Sequence, residues 1–382
     1  QENSPLDQEA LERGTSIYYA DGVIPMLPVS LSNEACSLKP DVPRLTLSAF
    51  MDFDHDANFI SGTLQPSVIK SQRRFTYTEV HGLLEGEGDD PLLQTLTDMY
   101  KLSQLLRQKR FDTGSVDFQV PEPEIHIDAT GHVERIGITE HNSAHELIEE
   151  FMLAANQFVA LSLHERGIPS IHRIHEAPDP ERLAGFNEYI ASFGLKIPSP
   201  VRSTDLQTLL IKIRDRPEER VVNTLLLRTM KKARYSETDP GHFCLGFPHY
   251  AHFTSPIRRY PDLMVHRIIK KYLKRKCPQK DKKSLYSRLA EISEQSTQME
   301  IQAMAISREV IDLRRTQFMA DKVGHTFHGI ITGVTGFGFF VELKEVFVEG
   351  LVKISSIMDD YYLFIETEHR LIGQKRHRNF QI

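Results

Sequence analysis

Near residue 325 the apolar residues change their period. Upstream, they recur at helical spacing, as in Leu92, Leu93, Leu96, Met99, Leu102 and Leu106, and again in Leu285, Leu289, Ile292, Met299, Ala303, Ile306, Val310 and Leu313. Downstream, FHGIITGVTGFGFFVEL, VEGLVKISS and YYLFIE alternate β-branched and aromatic residues between glycine turns, the pattern of half-buried strands. One element cannot satisfy both periods, so a domain boundary is expected near residue 323 and the chain is expected to be α+β. Its 382 residues suit two or three domains. The spacing and boundary signals predict a Ser-capped helix SPLDQEALERG ending at Gly14, and hairpin strands within 43–83 around a DHDAN turn. Short strands SVDFQV, EIHID and VERIGI follow. Helices are predicted over 90–110, 142–166, 179–194, 204–214, 218–232, 256–276 and 282–320.

No apolar run approaches the roughly 18 residues of a membrane span, and the acidic start QENSPLDQEA does not fit a signal peptide. A cytoplasmic address without membrane contact is expected. Cys36, Cys244 and Cys277 are too widely spaced for a disulfide framework or a CxxC zinc half-site. The net charge of −6 hides an asymmetry: residues 1–150 hold 26 acidic against 11 basic side chains, and residues 151–382 hold 26 against 35. Between 256 and 276, Arg258, Arg259, Arg267, Lys270, Lys271, Lys274, Arg275 and Lys276 face a single acid, Asp262. Such a run suits a phosphate-rich polyanion, although from charge alone a solvated helix face is the favoured reading. The chain begins with Gln and stops at NFQI within an unfinished set of strands, so it reads as a fragment.

In AHFTSPIRRYPDLMVHR (251–267), Thr254 or Ser255 is placed to cap a helix that Pro256 would open, a position where the missing N–H costs nothing. Two arginines at such a helix start would grip a phosphate bidentately. In MDFDHDANF, Asp52, Asp54 and Asp56 imitate a metal loop but lack its glycine, and a hairpin turn accounts for them better. Asp89 and Asp90 read as helix caps. His172 and His175 read as packing or surface residues.

The run HYAHFTSPIRRYPDLMVHR closely resembles the signature of the RNase II/RNase R family of exoribonucleases. RGTSIYYADGVIPMLP, SNEACSLKP, AHELIEEFMLAAN, IHRIHEAPDPERL and GHFCLGFPHYAHF extend the resemblance in order along nearly the whole chain. FVEGLVKISS and DDYY resemble the RNase R branch. The resemblance implies an RNB-type catalytic domain of mixed sheet and helices over 1–322, followed by an OB-fold RNA-binding domain over 323–382 that stops before its five strands are complete. It implies processive hydrolysis of single-stranded RNA from the 3′ end to nucleoside 5′-monophosphates. Mg2+ would be held by an aspartate cluster expected upstream of Gln1, so the chain alone is expected to be inactive. The alternative is a non-catalytic RNA-binding protein. Association with ribosome or degradosome stays open.

Site residues carry over one at a time. Tyr18 matches an aromatic that stacks on a base near the RNA 3′ end, and Phe118 its clamping partner; read from their residues alone, both would be core aromatics. Tyr77 and Glu149 match residues near the terminal nucleotide that favour ribose, although Glu149 also reads as a helix-surface acid. Arg258 matches the arginine that grips the scissile phosphate, with Arg259 beside it on the RNA. In the last domain Phe337 and Phe340 match exposed stacking aromatics. Lys353 stands where a histidine is common.

Overall fold

The structure is a computed structural model that describes residues 2–118, 123–216, 218–272, 277–344, 346–365 and 370–381. Helix α1 (Pro5–Arg13) starts and stops where the sequence signals put it. Ser4 Oγ accepts the Asp7 N–H at 3.3 Å, and Gly14 ends the helix at φ +64°. Glycine is required there twice over, because a Cβ would also lie 2.7 Å from the Cβ of Met299. Strands β1 (Ile17–Tyr19) and β2 (Gly22–Ile24) form a tight ribbon, and β3 (Pro43–Phe53) and β4 (Phe59–Lys70) a long hairpin. The turn of that hairpin is closed by Asp54, whose carboxylate accepts both N–H groups of Asn58 and the amide of Asp56.

Helices α2 (Tyr77–Leu84), α3 (Leu93–Asp112) and α4 (Ser143–Glu165) pack through Val80, Leu83, Leu96 and Ala144. Between α3 and α4 lies the hairpin β5 (Pro123–Ile127) and β6 (Val133–Ile138). The strand expected at SVDFQV does not form over 115–118, and its last two residues lie outside the described residues. This segment instead spends its polar groups on neighbours: the Val116 N–H donates to Cys244 O, and the Asp117 N–H to Gln207 Oε1. After β7 (His172–Ile174), helices α5 (Pro180–Ala191), α6 (Ser203–Ile213) and α7 (Glu219–Thr229) bury a separate core of Phe186, Ile190, Leu206, Leu209, Ile213, Val222 and Leu226. Strand β8 (Arg234–Ser236) then returns to pair with β7.

The largest core lies where α4, α8 (Tyr260–Tyr272) and the 42-residue α9 (Gln279–Ala320) meet, around Val159, Leu163, Tyr260, Val265, Ile269, Leu289 and Ile292. Helices α8 and α9 therefore share one core. Helix α9 buries residues between Leu289 and Ala303, while Leu313 further on is exposed. Up to α9 the fold mixes helices with four two-stranded antiparallel ribbons, rather than containing one mixed sheet, among the described residues. No helix among them is long and apolar enough to cross a membrane.

Beyond α9, β9 (Gly329–Thr335), β10 (Gly338–Leu343) and β11 (Glu349–Lys353) form one antiparallel sheet, and β12 (Tyr362–Ile365), β13 (Arg370–Gly373) and β14 (Asn379–Gln381) another. They share a core of Val334, Phe339, Tyr362 and Leu371. Six strands are present where fewer than five were expected, yet the two sheets are not joined into a closed barrel among the described residues.

Helix α1 is fastened to α8 by Asp7, which is buried and accepts from Arg267 Nη2 at 2.6 Å, Tyr260 OH at 2.9 Å and the Asn3 N–H at 2.7 Å. Burial alone would raise its pKa, but these donors hold the carboxyl below its usual range. A depressed carboxylate stabilises the fold fully above its unfolded value, about 3.9, and the contribution vanishes as pH falls through the folded value. Asp7→Asn should therefore melt below the parent at pH 7 and converge on it as pH falls through the depressed folded value. Parallel melting curves across that range would remove the ionic role.

Candidate nucleic-acid interface

The arginine pair does not sit in the first turn of a helix. Residues 256–258 form a turn in which the Arg258 and Arg259 N–H groups both donate to Ser255 O, at 3.2 and 3.1 Å, and α8 begins only at Tyr260. Neither Thr254 nor Ser255 caps α8. The physical reason lies in Asp262, which reaches back one turn so that its Oδ1 accepts the Ser255 N–H at 2.7 Å. Segment 14–16 backs the turn: the Ser16 N–H and Thr15 Oγ1 donate to Arg258 O, and the Tyr260 N–H donates to Gly14 O.

The two guanidiniums have opposite fates. Arg259 is bound by Asp262, Nε to Oδ2 at 2.8 Å and Nη2 to Oδ1 at 2.7 Å, and Asp262 is completely buried. Burial would lower the Arg259 pKa, yet the Asp262 carboxylate raises it, so the charge is fixed inside the protein. Arg258 is exposed and has no side-chain hydrogen bond or ion pair among the described residues. Its five donors are available to a ligand. Behind the turn, burial and the Arg259 and Arg173 guanidiniums push His252 well below its ordinary value, so the wall there is neutral at pH 7.

Asn156, in the middle of α4, joins the turn to that helix. Its Oδ1 accepts the Phe253 and Thr254 N–H groups at 2.8 and 3.3 Å, while Nδ2 donates to Tyr250 OH at 3.2 Å. Glu149 lies seven residues earlier on the same helix, roughly 10 Å along its axis. Its carboxylate stands 3.6 Å from His141 Nε2 and 3.8 Å from Arg110 Nη2, and burial raises its pKa against the pull of Arg110. Half-exposed Tyr77 stacks on His145, one turn before Glu149, with centroids 3.9 Å apart. The α4 face thus collects Tyr77, His145, His141 and Glu149.

Tyr18 is half exposed on β1, two residues beyond Ser16 and its bond to the arginine turn. Phe118 is partly buried against the α5–α7 core, as its residue-level reading had it. Its neighbour Asp117 shares Arg107 with Glu146 of α4, at 3.5 and 3.4 Å. Phe340 lies on β10, Lys353 on β11 and Phe337 in the turn between β9 and β10. Phe337 and Lys353 are exposed, and the two rings meet edge-on at 6.4 Å. A cleft of about 370 Å³ between the β3–β4 hairpin, α3 and α4 contains none of the candidate residues. Of the basic run, Lys274, Arg275 and Lys276 lie outside the described residues.

This arrangement of an exposed arginine, exposed aromatics and buried polar struts coincides with a family match. The RNB domain family model matches residues 1–275, nearly three quarters of the chain. The chain belongs to the RNB domain family. The S1 RNA binding domain model matches 320–380. Ribonuclease R of Aquifex aeolicus is 40% identical over 391 residues, covering 100% of this chain and 55% of that protein. Ribonuclease R of Escherichia coli is 37% identical over 394, covering 100% and 48%. The chain thus spans about half the length of the curated relatives it matches. Mycoplasma genitalium RNase R, solved in complex with ribose-methylated single-stranded RNA, superposes with a TM-score of 0.94 at 31% identity, covering 100% of this chain and 61% of that one.

RNB-family nucleases are metal-dependent hydrolases, so the carboxylates around the arginine turn were tested as seats for a divalent ion. They do not fit. Both oxygens of Asp262 are taken by Arg259 and the Ser255 N–H, and Asp7 is taken by Arg267, Tyr260 and the Asn3 N–H. Sequence reasoning missed Asn156, the strut role of Asp262, and the buried pair Arg110–Glu150. The i,i+3 spacing of Arg259 and Asp262 was the one local sign of the second.

Proposed function

We propose that this chain forms the RNA-holding part of a processive hydrolytic 3′–5′ exoribonuclease that acts on single-stranded RNA and releases nucleoside 5′-monophosphates, with Mg2+ as the family's expected ion and a cytoplasmic address. In this reading residues 1–322 belong to the RNB-type domain and 323–382 to the OB-fold domain. The observation that carries it is Arg258: exposed, unpaired among the described residues, and held on a turn locked by Asp262 and Asn156. A guanidinium with free donors on a rigid turn takes a phosphate without reorganising, and it stabilises charge that develops on the phosphoryl oxygens. Arg259 in this proposal stays beside the RNA path as a positioning residue, through Asp262. Tyr18 and Phe118 supply ring faces for bases. Tyr77 and Glu149 flank the terminal nucleotide, where a carboxylate accepts from a ribose 2′-OH. Phe337, Phe340 and Lys353 extend the grip along the strand. No catalytic step is assigned to an ion, since the carboxylates beside Arg258 are already bonded. That same observation favours the second reading, a chain that binds RNA without cutting it.

Incubating the chain with labelled single-stranded RNA and magnesium tests this: release of mononucleotides would place the ion's ligands within the chain itself and overturn the expected upstream cluster, whereas retention without cleavage favours the binder. In an active protein carrying this chain, Arg258→Ala is expected to lower kcat by about 10²–10³-fold, the scale of one lost transition-state donor, while Kd for RNA changes by less than about tenfold. Equal losses in both would make Arg258 a simple backbone anchor.

A further inference from the structure

Away from the arginine turn, four side chains with ligand atoms converge where α4 ends. His164, in the last turn of α4, stacks on His249 with ring centroids 3.8 Å apart. His249 Nδ1 lies 2.6 Å from Asp239 Oδ2, and one ligand atom from each of the three falls within 4.8 Å of the others. His172 of β7 approaches the same carboxylate from inside, its Nδ1 3.4 Å from Asp239 Oδ2. Two buried atoms of the cluster, His172 Nδ1 and Asp239 Oδ1, have no hydrogen-bond partner. His172 is itself more than nine-tenths buried. Buried polar atoms are almost always paired, so two orphans within one cluster of ligand-type side chains call for a partner there.

We propose that His164, His249 and Asp239 bind a zinc-type transition-metal ion, with His172 as fourth ligand or as outer partner of Asp239. Two imidazoles and a carboxylate match a two-histidine, one-carboxylate zinc set, whereas Mg2+ prefers oxygen ligands alone. In a tetrahedral site with bonds near 2.0–2.1 Å, neighbouring ligand atoms stand about 3.3 Å apart. The present separations run from 2.6 to at most 4.8 Å, so small side-chain rotations reach that spacing. Exposed His164 gives the ion an entry path from solvent, and the buried side closes on His172. The ion ties the C-terminus of α4 to the segment that runs from β8 through His249 into the arginine turn, and so acts as a staple. The inference does not depend on the exoribonuclease reading.

The test uses the full chain, stripped with chelator and dialysed. Zinc is titrated against a chromophoric competitor, Co2+ is followed by visible absorption, and melting is recorded with and without zinc. One equivalent should bind with a four-coordinate cobalt spectrum, and zinc should raise the melting temperature, as any ligand specific to the folded state does. His164→Ala, at an exposed position, and Asp239→Asn should each weaken binding at least about tenfold and abolish the zinc-dependent rise in melting temperature, since even outer partners of metal ligands cost that much. His55→Ala, on the β3–β4 turn, should leave both unchanged. Absence of saturable one-to-one binding, or binding that survives both His164→Ala and Asp239→Asn, overturns the site.

Discussion

Asp262→Ala is expected to lower the unfolding free energy by about 3–5 kcal/mol, the usual cost of removing one partner of a buried ion pair. The carboxylate is completely buried and satisfies three donors, Arg259 Nε, Arg259 Nη2 and the Ser255 N–H. Its loss leaves a guanidinium that is only 19% exposed without a counter-charge, and orphans the amide that fixes the start of the turn. Asp262→Asn should cost less, since an amide oxygen still accepts from Ser255. Replacing both partners by apolar residues, Arg259→Met with Asp262→Leu, should be milder than Asp262→Ala although it removes more charge. Denaturant unfolding of the three variants checks the order. A loss below about 1 kcal/mol for Asp262→Ala would place the pair among exposed, weakly coupled ones. The same variant should weaken RNA binding, because Arg258 is aimed by the turn that Asp262 holds, and this links a buried acid to a surface grip.

What could be read from the sequence followed the range of the interactions. The ends of α1 were visible because Ser4 and Gly14 act within four residues, and the helical periods of α3, α4 and α9 placed those helices to within a few residues. The start of α8 was misplaced because the local pattern Thr-Ser-Pro is a valid helix opening. It is overridden by contacts from segment 14–16, more than 240 residues away, and by an acid reaching back from Asp262. The strand expected at SVDFQV failed for a similar reason: its apolar–polar alternation matches a strand, but the described part bonds to Cys244 and Gln207 instead of a sheet. Family resemblance points to Arg258, Tyr18 and Glu149 as RNA contacts, and to Arg259 as well. Only the geometry separates an arginine free to bind from one already neutralised. His172 was read as packing or surface; it is buried, and its unpaired nitrogen became visible only with Asp239 and His249 beside it.

Arg110→Met should produce a loss of similar size, about 3–5 kcal/mol at neutral pH, with a pH signature that Asp262→Ala lacks a reason to share. Arg110, at the end of α3, donates Nε to both Glu150 oxygens at 3.1 and 3.2 Å, Nη2 to Oε1 at 2.5 Å and Nη1 to Ser115 Oγ at 2.6 Å. Glu150 is 3% exposed, so without the guanidinium its charge is stranded inside α4. Glu149, the preceding residue, has a carboxyl that burial already raises and the Arg110 guanidinium restrains, so removing Arg110 raises it further above the unfolded value near 4.3. A raised carboxyl stabilises the fold below the unfolded value and loses that contribution as pH rises through the folded one, so the variant should recover part of its stability below about pH 4. The deficit of the variant relative to the parent should therefore grow between about pH 4 and 7 in chemical unfolding. A deficit of constant size across that range would mean that Arg110 acts by packing α3 on α4. In that case the face carrying Glu149 and the segment leading to Phe118 would be held by shape, and Glu150→Leu added to Arg110→Met would restore nothing.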